Sequence, residues 1–281
     1  MTPPARTPPD LSAPSVPAGP CGPPALVLVA HGSRDPRARG TVEALGERVR
    51  RLRPGLPVRL GHIELNAPLL PDALARLAAA GAAEAVLVPL LIGPGHHVKH
   101  DIPATAASAP LHARAAAPLG PHPLLVDTLC ARLAEAGWRT PPDAATRRAS
   151  AVVLAAAGSR DPDSAAVTRR TARLLAERVG VPVVPAYASA AAPTVEAAVA
   201  ALAARGRHRV AVASCFTAPG RFAVACARAA PWIAAAPLGD HPALARLVLH
   251  RYDQALGPAL GRALGHDRTV TARTRTPAAA A

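Results

Sequence analysis

Aromatic side chains are almost missing from this 281-residue chain, which has two each of Trp, Tyr and Phe. Its core must therefore be built from Ala, Val and Leu, and no aromatic platform for stacking nucleic-acid bases is visible. Lysine is rarer still: Lys99 stands alone among 32 basic residues. The four cysteines, Cys21, Cys130, Cys215 and Cys226, show no CxxC pairing and no regular spacing. That argues against a disulfide framework or a zinc ribbon and points to a reducing cytoplasm. No stretch approaches the ~20 uninterrupted apolar residues of a membrane span, and no hydrophobic segment near the start resembles a signal peptide. The proline-rich residues 1–24 read as a disordered leader, and 258–281 as a mostly disordered tail.

What the chain has in excess is positive charge, a formal +14. Heavy use of Ala, Pro and Arg suggests a GC-biased genome, which accounts for much of that excess. A basic face suits either nucleic acid or a polyanionic small molecule. Without aromatics to stack on bases, a polycarboxylate ligand fits better than nucleic acid.

The sequence also repeats itself. Leu26-Val27-Leu28-Val29-Ala30-His31-Gly32-Ser33-Arg34-Asp35-Pro36 is answered by Val152-Val153-Leu154-Ala155-Ala156-Ala157-Gly158-Ser159-Arg160-Asp161-Pro162, at an offset of 126 residues. Pro94-Gly95 matches Pro219-Gly220, and Pro118-Leu119-Gly120-Pro121-His122-Pro123 matches Pro237-Leu238-Gly239-Asp240-His241-Pro242. Conserved order with small deletions is the mark of a duplicated domain. Each copy alternates short β-branched runs with amphipathic Ala/Leu/Arg segments, which predicts βαβ units on a parallel sheet covered on both faces. Strands are expected near 25–30, 57–63, 84–91 and 112–117, then near 151–157, 181–187, 208–214 and 232–236. The expected fold is α/β: two similar doubly wound lobes, each with a roughly four-stranded parallel sheet flanked by helices. The first lobe spans 25–137, a linker 138–150 and the second lobe 151–257. For a chain of this length two ordinary cores are a better expectation than one large core.

His31, Glu64 and His97 fall 33 residues apart in both steps, each at or just beyond the end of an expected strand. One strand–helix–strand crossover takes roughly 30 residues, so equal steps of that size bring the three side chains to the same edge of one sheet. Ligands of open parallel sheets bind at that carboxyl edge. Two imidazoles and a carboxylate form an incomplete shell for a divalent transition metal.

The plain alternative for each residue has to be weighed. The Gly32-Ser33-Arg34-Asp35-Pro36 turn is explained by turn and cap chemistry alone. The second copy keeps that turn but has Ala157 in place of His31, which separates a structural turn from a chemical histidine. Glu64 corresponds to Ser189. Asn66 reads as a cap for the next helix, and Asp101 as the cap of the helix after the histidine loop. In Gly93-Pro94-Gly95-His96-His97-Val98-Lys99-His100-Asp101-Ile102-Pro103, three histidines and the only lysine lie within five residues. The second copy keeps the turn residues there and loses the histidines. This pattern leaves His96 and His97 undecided. No GxSxG elbow, P-loop or strand-following GxGxxG is present, so a serine hydrolase, ATP-driven chemistry and a dinucleotide enzyme are disfavoured.

These motifs resemble those of the sirohydrochlorin chelatases of the CbiX/SirB type, ATP-independent enzymes that insert Co²⁺ or Fe²⁺ into a tetrapyrrole. The resemblance runs from about Leu26 to Gln254, and the chain looks like a fused two-lobe form of the family. It implies that the functional histidine of the Gly-x-His-x-x-x-Asp-Ile-Pro loop is His97, four residues before the aspartate, and that the metal-binding glutamate is Glu64. It also implies insertion of Co²⁺ or Fe²⁺ (with Ni²⁺ as a further candidate) into sirohydrochlorin, in sirohaem or cobalamin formation. His31 and His97 would act as catalytic residues, and His31, Glu64 and His97 as metal ligands. Ser33, Arg34, His96 and Lys99 would meet the substrate. The metal is a substrate and no organic cofactor is implied. A monomer in the cytoplasm, without nucleic-acid or membrane partners, is expected. The non-enzymatic alternative is a metallochaperone on the same fold.

Overall fold

Strand composition decides strand position. β1 (Ala25–Ala30) and β3 (Glu84–Pro89) are apolar on both faces, so they take the middle of the first sheet. β2 (Val58–His62) and β4 (His112–Ala115) carry polar residues and take its edges, giving the order β2-β1-β3-β4. In the second half β5 (Ser150–Ala156), β6 (Val183–Tyr187), β7 (Arg209–Ser214) and β8 (Ile233–Ala234) repeat that order as β6-β5-β7-β8. All pairings are parallel. The helices are α1 (Pro36–Leu52), α2 (Leu70–Ala79), α3 (Ile102–Ala107), α4 (Pro123–Glu135), α5 (Ala144–Ala149), α6 (Pro162–Val179), α7 (Val195–Ala203), α8 (Arg221–Arg228) and α9 (Pro242–Leu256). This computed structural model describes residues 22–257. The expected tail, and the expected leader apart from residues 22–24, lie outside the described residues. No helix among the described residues is long and apolar enough to cross a membrane.

The two-lobed α/β architecture is as expected, but the expectation of two separate cores is not met. Side chains alternate across a strand. Leu26 and Leu28 of β1 face a large central cluster, and Val27 and Val29 face a smaller outer one. The central cluster joins both sheets, because it also holds Val152 and Leu154 of β5 together with residues of α1, α4, α6 and α9. The outer clusters are closed by α2 and α3 on one side and by α7 and α8 on the other. The terminal helices cross over. α4, from the first half, lies against α6 and β7, while α9, from the second half, lies against α1, α4 and β3.

Polar links follow the same crossing. Arg53 makes a bidentate pair with Asp253 at 2.6 and 2.7 Å, Arg48 donates to Asp240 at 2.9 Å, and the buried Tyr252 hydroxyl donates to the Pro24 carbonyl at 2.6 Å. The segment read as a linker, 138–150, is part of this body as well. Trp138 is 5% exposed in the central cluster, and Asp143 caps the short α5 through the Thr146 N–H at 2.7 Å.

The repeated Pro-Leu-Gly-x-His-Pro motif has a structural role. His122 Nδ1 accepts from the Leu124 N–H (3.1 Å) at the start of α4, and His241 Nδ1 accepts from the Ala243 N–H (3.2 Å) at the start of α9. A cap that accepts through Nδ1 must be unprotonated there. Burial, helped by His250 and Arg251, pulls His122 down from 6.5 to about 4, and burial with Arg132 also lowers His241.

Two outcomes follow. Leu244 of α9 is fully buried in the central cluster, so Leu244→Ala should cost about 2–5 kcal/mol. Urea unfolding of that variant should remain one transition that includes the first lobe. Between pH 6.5 and about 4 the unfolded chain binds protons that the folded His122 refuses, so the cap itself persists while the stability it contributes falls with pH, and burial moves His241 in the same direction. The urea midpoint should drop over that range, and it should drop less in a His122→Asn/His241→Asn variant, whose caps do not titrate.

Candidate metal centre

The site begins with a backbone latch. After β1 the chain turns at Gly32, whose φ is +105°, and a Cβ there would stand 1.9 Å from the Glu64 carbonyl oxygen. Glycine is required by both the torsion and the contact. With the chains this close, the Ile63 N–H donates to the Ala30 carbonyl (2.9 Å) and the Glu64 N–H to the His31 carbonyl (3.0 Å). The Ser33 N–H is taken by Asn66 Oδ1 at 2.7 Å. Two strand ends are thereby locked together, and His31 Nδ1 comes to 3.4 Å from Glu64 Oε1.

The third strand end arrives through a different device. His97–Asp101 forms a π-helical turn, in which the Ile102 N–H donates to the His97 carbonyl five residues back. Pro103 explains it. A proline has no N–H for the residue four positions earlier, and its ring crowds that carbonyl, so the preceding turn widens. The turn sets His97 Nδ1 at 2.6 Å from Asp101 Oδ2 and brings the His97 ring edge-to-face with His31, with centroids 4.9 Å apart and planes at 88°. His97 beside it holds the Asp101 carboxyl below the usual carboxylate range. The three side chains stay accessible: His31 is 44%, Glu64 51% and His97 32% exposed.

His31, Glu64 and His97 therefore come together from three separate crossovers. Among the described residues, no group of three or more His, Cys, Asp or Glu side chains is arranged as it stands to hold a metal ion. The residues expected around the substrate are placed differently from one another. Arg34 is exposed, with no ion-pair partner among the described residues. Ser33 is engaged in its own turn, its hydroxyl accepting from the Asp35 N–H at 3.1 Å. His96 is 74% exposed and stands 3.4 Å from Asp101 Oδ1. Lys99 needs correction. Its ammonium is held across the lobes by Asp161 (2.7 Å) and Asp163 (2.8 Å), two carboxylates that raise its pKa, so its charge is already matched within the protein.

The plain alternative of a helix cap fails at two residues. Asp101 makes no cap bond and orients His97 instead. Asn66 accepts from Ser33, and α2 starts without a side-chain cap. The i,i+4 spacing of His97 and Asp101 was the available signal for the first; the second had none, because its partner is 33 residues away.

The second lobe is an internal control. Gly158, at φ +89°, would put a Cβ 1.8 Å from the Ser189 carbonyl oxygen, and the Ser189 N–H donates to the Ala157 carbonyl at 3.0 Å. The latch is the same, and the side chains at the ligand positions are Ala157, Ser189 and Phe222. A separate cavity of about 520 Å³ beside α1 is lined by residues that include the ion-paired Arg39 and Glu43 and holds none of the site residues. Because the latch is backbone geometry, Gly32→Ala and Gly158→Ala should destabilise the fold by similar amounts, on the order of 3 kcal/mol each by urea unfolding.

Known proteins resemble this chain in sequence and in fold. A sirohydrochlorin cobaltochelatase of Methanococcus maripaludis is 35% identical over 79 residues, 28% of this chain and 55% of that protein. The chloroplastic sirohydrochlorin ferrochelatase of Arabidopsis thaliana is 32% identical over 114 residues, 38% of this chain and 50% of that protein. The chain thus spans about half the length of these curated relatives. The crystal structure of the sirohydrochlorin chelatase SirB from Bacillus subtilis subspecies spizizenii, in complex with cobalt, shares the fold with a TM-score of 0.67 at 21% identity, covering 84% of this chain and 96% of that one. The family description CbiX matches residues 25–136 and again 151–255, nearly all of both lobes, and the chain belongs to the CbiX family.

Proposed function

We propose that this protein inserts a divalent ion, Co²⁺ or Fe²⁺, into sirohydrochlorin with release of two protons, at a single centre on the first lobe. The observation that carries the reading is the meeting of His31, Glu64 and His97 at one accessible sheet edge, with His97 oriented by Asp101. The family and the names borne by its relatives support the same chemistry.

Insertion has two requirements: the ion must be held weakly enough to be released, and the ring N–H protons must be accepted. With Nδ1 of His97 donating to Asp101, Nε2 is the nitrogen left with a lone pair, and it can ligate the ion or accept a ring proton. His31 and Glu64 supply a second nitrogen and an oxygen. A shell of two nitrogens and one oxygen leaves positions open for the ring nitrogens to take over. Such a donor set accepts Co²⁺, Fe²⁺ and Ni²⁺ alike, so metal supply decides which is used. Arg34, exposed and without an ion-pair partner among the described residues, is placed to pair with a carboxylate of the tetrapyrrole. The second lobe, with Ala157, Ser189 and Phe222, supplies a wall of the cleft rather than a second centre. The protein acts as a pseudo-dimeric monomer in the cytoplasm.

His31→Ala should lower insertion at least 100-fold, followed anaerobically by the absorbance of sirohydrochlorin, while the melting temperature stays unchanged. Full turnover in that variant would remove His31 from the mechanism. Asp101→Asn should weaken metal binding by about 10–100-fold.

A further inference from the structure

His96 and His100 lie outside the triad, four residues apart along the π-helical turn, with ring centroids 4.9 Å apart and planes tilted by 40°. Both are exposed to solvent. Two imidazoles at this spacing on one helical face are a bidentate nitrogen pair for a first-row divalent ion, with water free to fill the remaining positions. Asp101 stands at their base and touches both groups of histidines: Oδ1 lies 3.4 Å from His96 Nε2 and Oδ2 lies 2.6 Å from His97 Nδ1. The rings of His96 and His97 are 6.3 Å apart. Lys99, the one cation between them in sequence, is turned to Asp161 and Asp163, so its ammonium is neutralised rather than set against an incoming dication.

We propose that His96 and His100, assisted by Asp101, form a capture site for the substrate cation, from which the ion passes inward to His31, Glu64 and His97. The inference rests on the proposed function for its inner site and adds a second, outer one. The transfer changes no oxidation state and breaks no covalent bond: water and imidazole donors of the outer pair are exchanged for those of the inner set, and the ion keeps its charge. The pair is exposed, so its ligands exchange with bulk water, as a loading position requires.

Equilibrium dialysis of the full chain with Co²⁺ alone tests this, read by the visible absorbance of bound cobalt. The wild type should bind about two ions per chain, and both His96→Ala/His100→Ala and His31→Ala/His97→Ala should bind about one. In insertion assays the His96→Ala/His100→Ala chain should show a KM for Co²⁺ raised about tenfold and an unchanged KM for the tetrapyrrole. Undiminished cobalt stoichiometry in that variant would overturn the capture site. A raised KM for the tetrapyrrole, with the metal KM unmoved, would overturn it too and place His96 against a substrate carboxylate. A wild-type chain that inserts no metal refutes the proposed function, while the count of bound Co²⁺ still decides for or against the outer pair.

Discussion

The hydrogen bond from the Glu64 N–H to the His31 carbonyl is the constraint on which the site depends. It forms only because Gly32 has no Cβ to strike the Glu64 carbonyl oxygen and can hold a φ of +105°. Once it forms, the positions of two side chains follow without any attraction between them, since the backbone alone sets their Cα atoms side by side. This explains how the second lobe can hold the same latch, between Gly158 and Ser189, around Ala157, Ser189 and Phe222, which carry neither imidazole nor carboxylate. Geometry and chemistry are separate layers here, and the two copies share the first while differing in the second.

Much of this was legible in the chain. Apolar runs flanked by turn residues located the strands, and the internal repeat gave the two-lobed plan. The equal spacing of His31, Glu64 and His97 put them at one sheet edge. Other features were hidden for physical reasons. The unbroken apolar run of β1 shows that both faces are covered but not by what, so the shared central core and the crossing of α4 and α9 could not be read from it. Asn66 and Asp101 have the local chemistry of caps, but Asn66 is taken by Ser33, 33 residues away, and Asp101 by His97, four residues back. The π-helical turn escaped notice because the effect of Pro103 falls on residues before it. Lys99 looked free since its two carboxylate partners lie in the other lobe, 64 residues away in the case of Asp163.

That interlobe contact bears on why a lobe without ligands is retained. The loop that carries His97 runs from β3 past Gly93 and Gly95, and each of these glycines lies against the second lobe. A Cβ at Gly93 would meet Ser164 Oγ at 3.2 Å, and one at Gly95 would meet Ser159 Oγ at 3.6 Å. Small residues let the loop lie close to the start of α6, and Lys99 then fastens the π-helical turn to Asp161 and Asp163. Ion pairs as exposed as these add little to stability. Their effect is positional, because the loop is held at both its glycine bend and its helical turn. The turn carries both Asp101 and His97, so the contacts that fix it also fix the orientation of one imidazole. In the proposed chemistry the first lobe provides every donor. The second provides the surface against which the His97 loop is set, and a single-lobed chain would need a second copy of itself to supply the same surface.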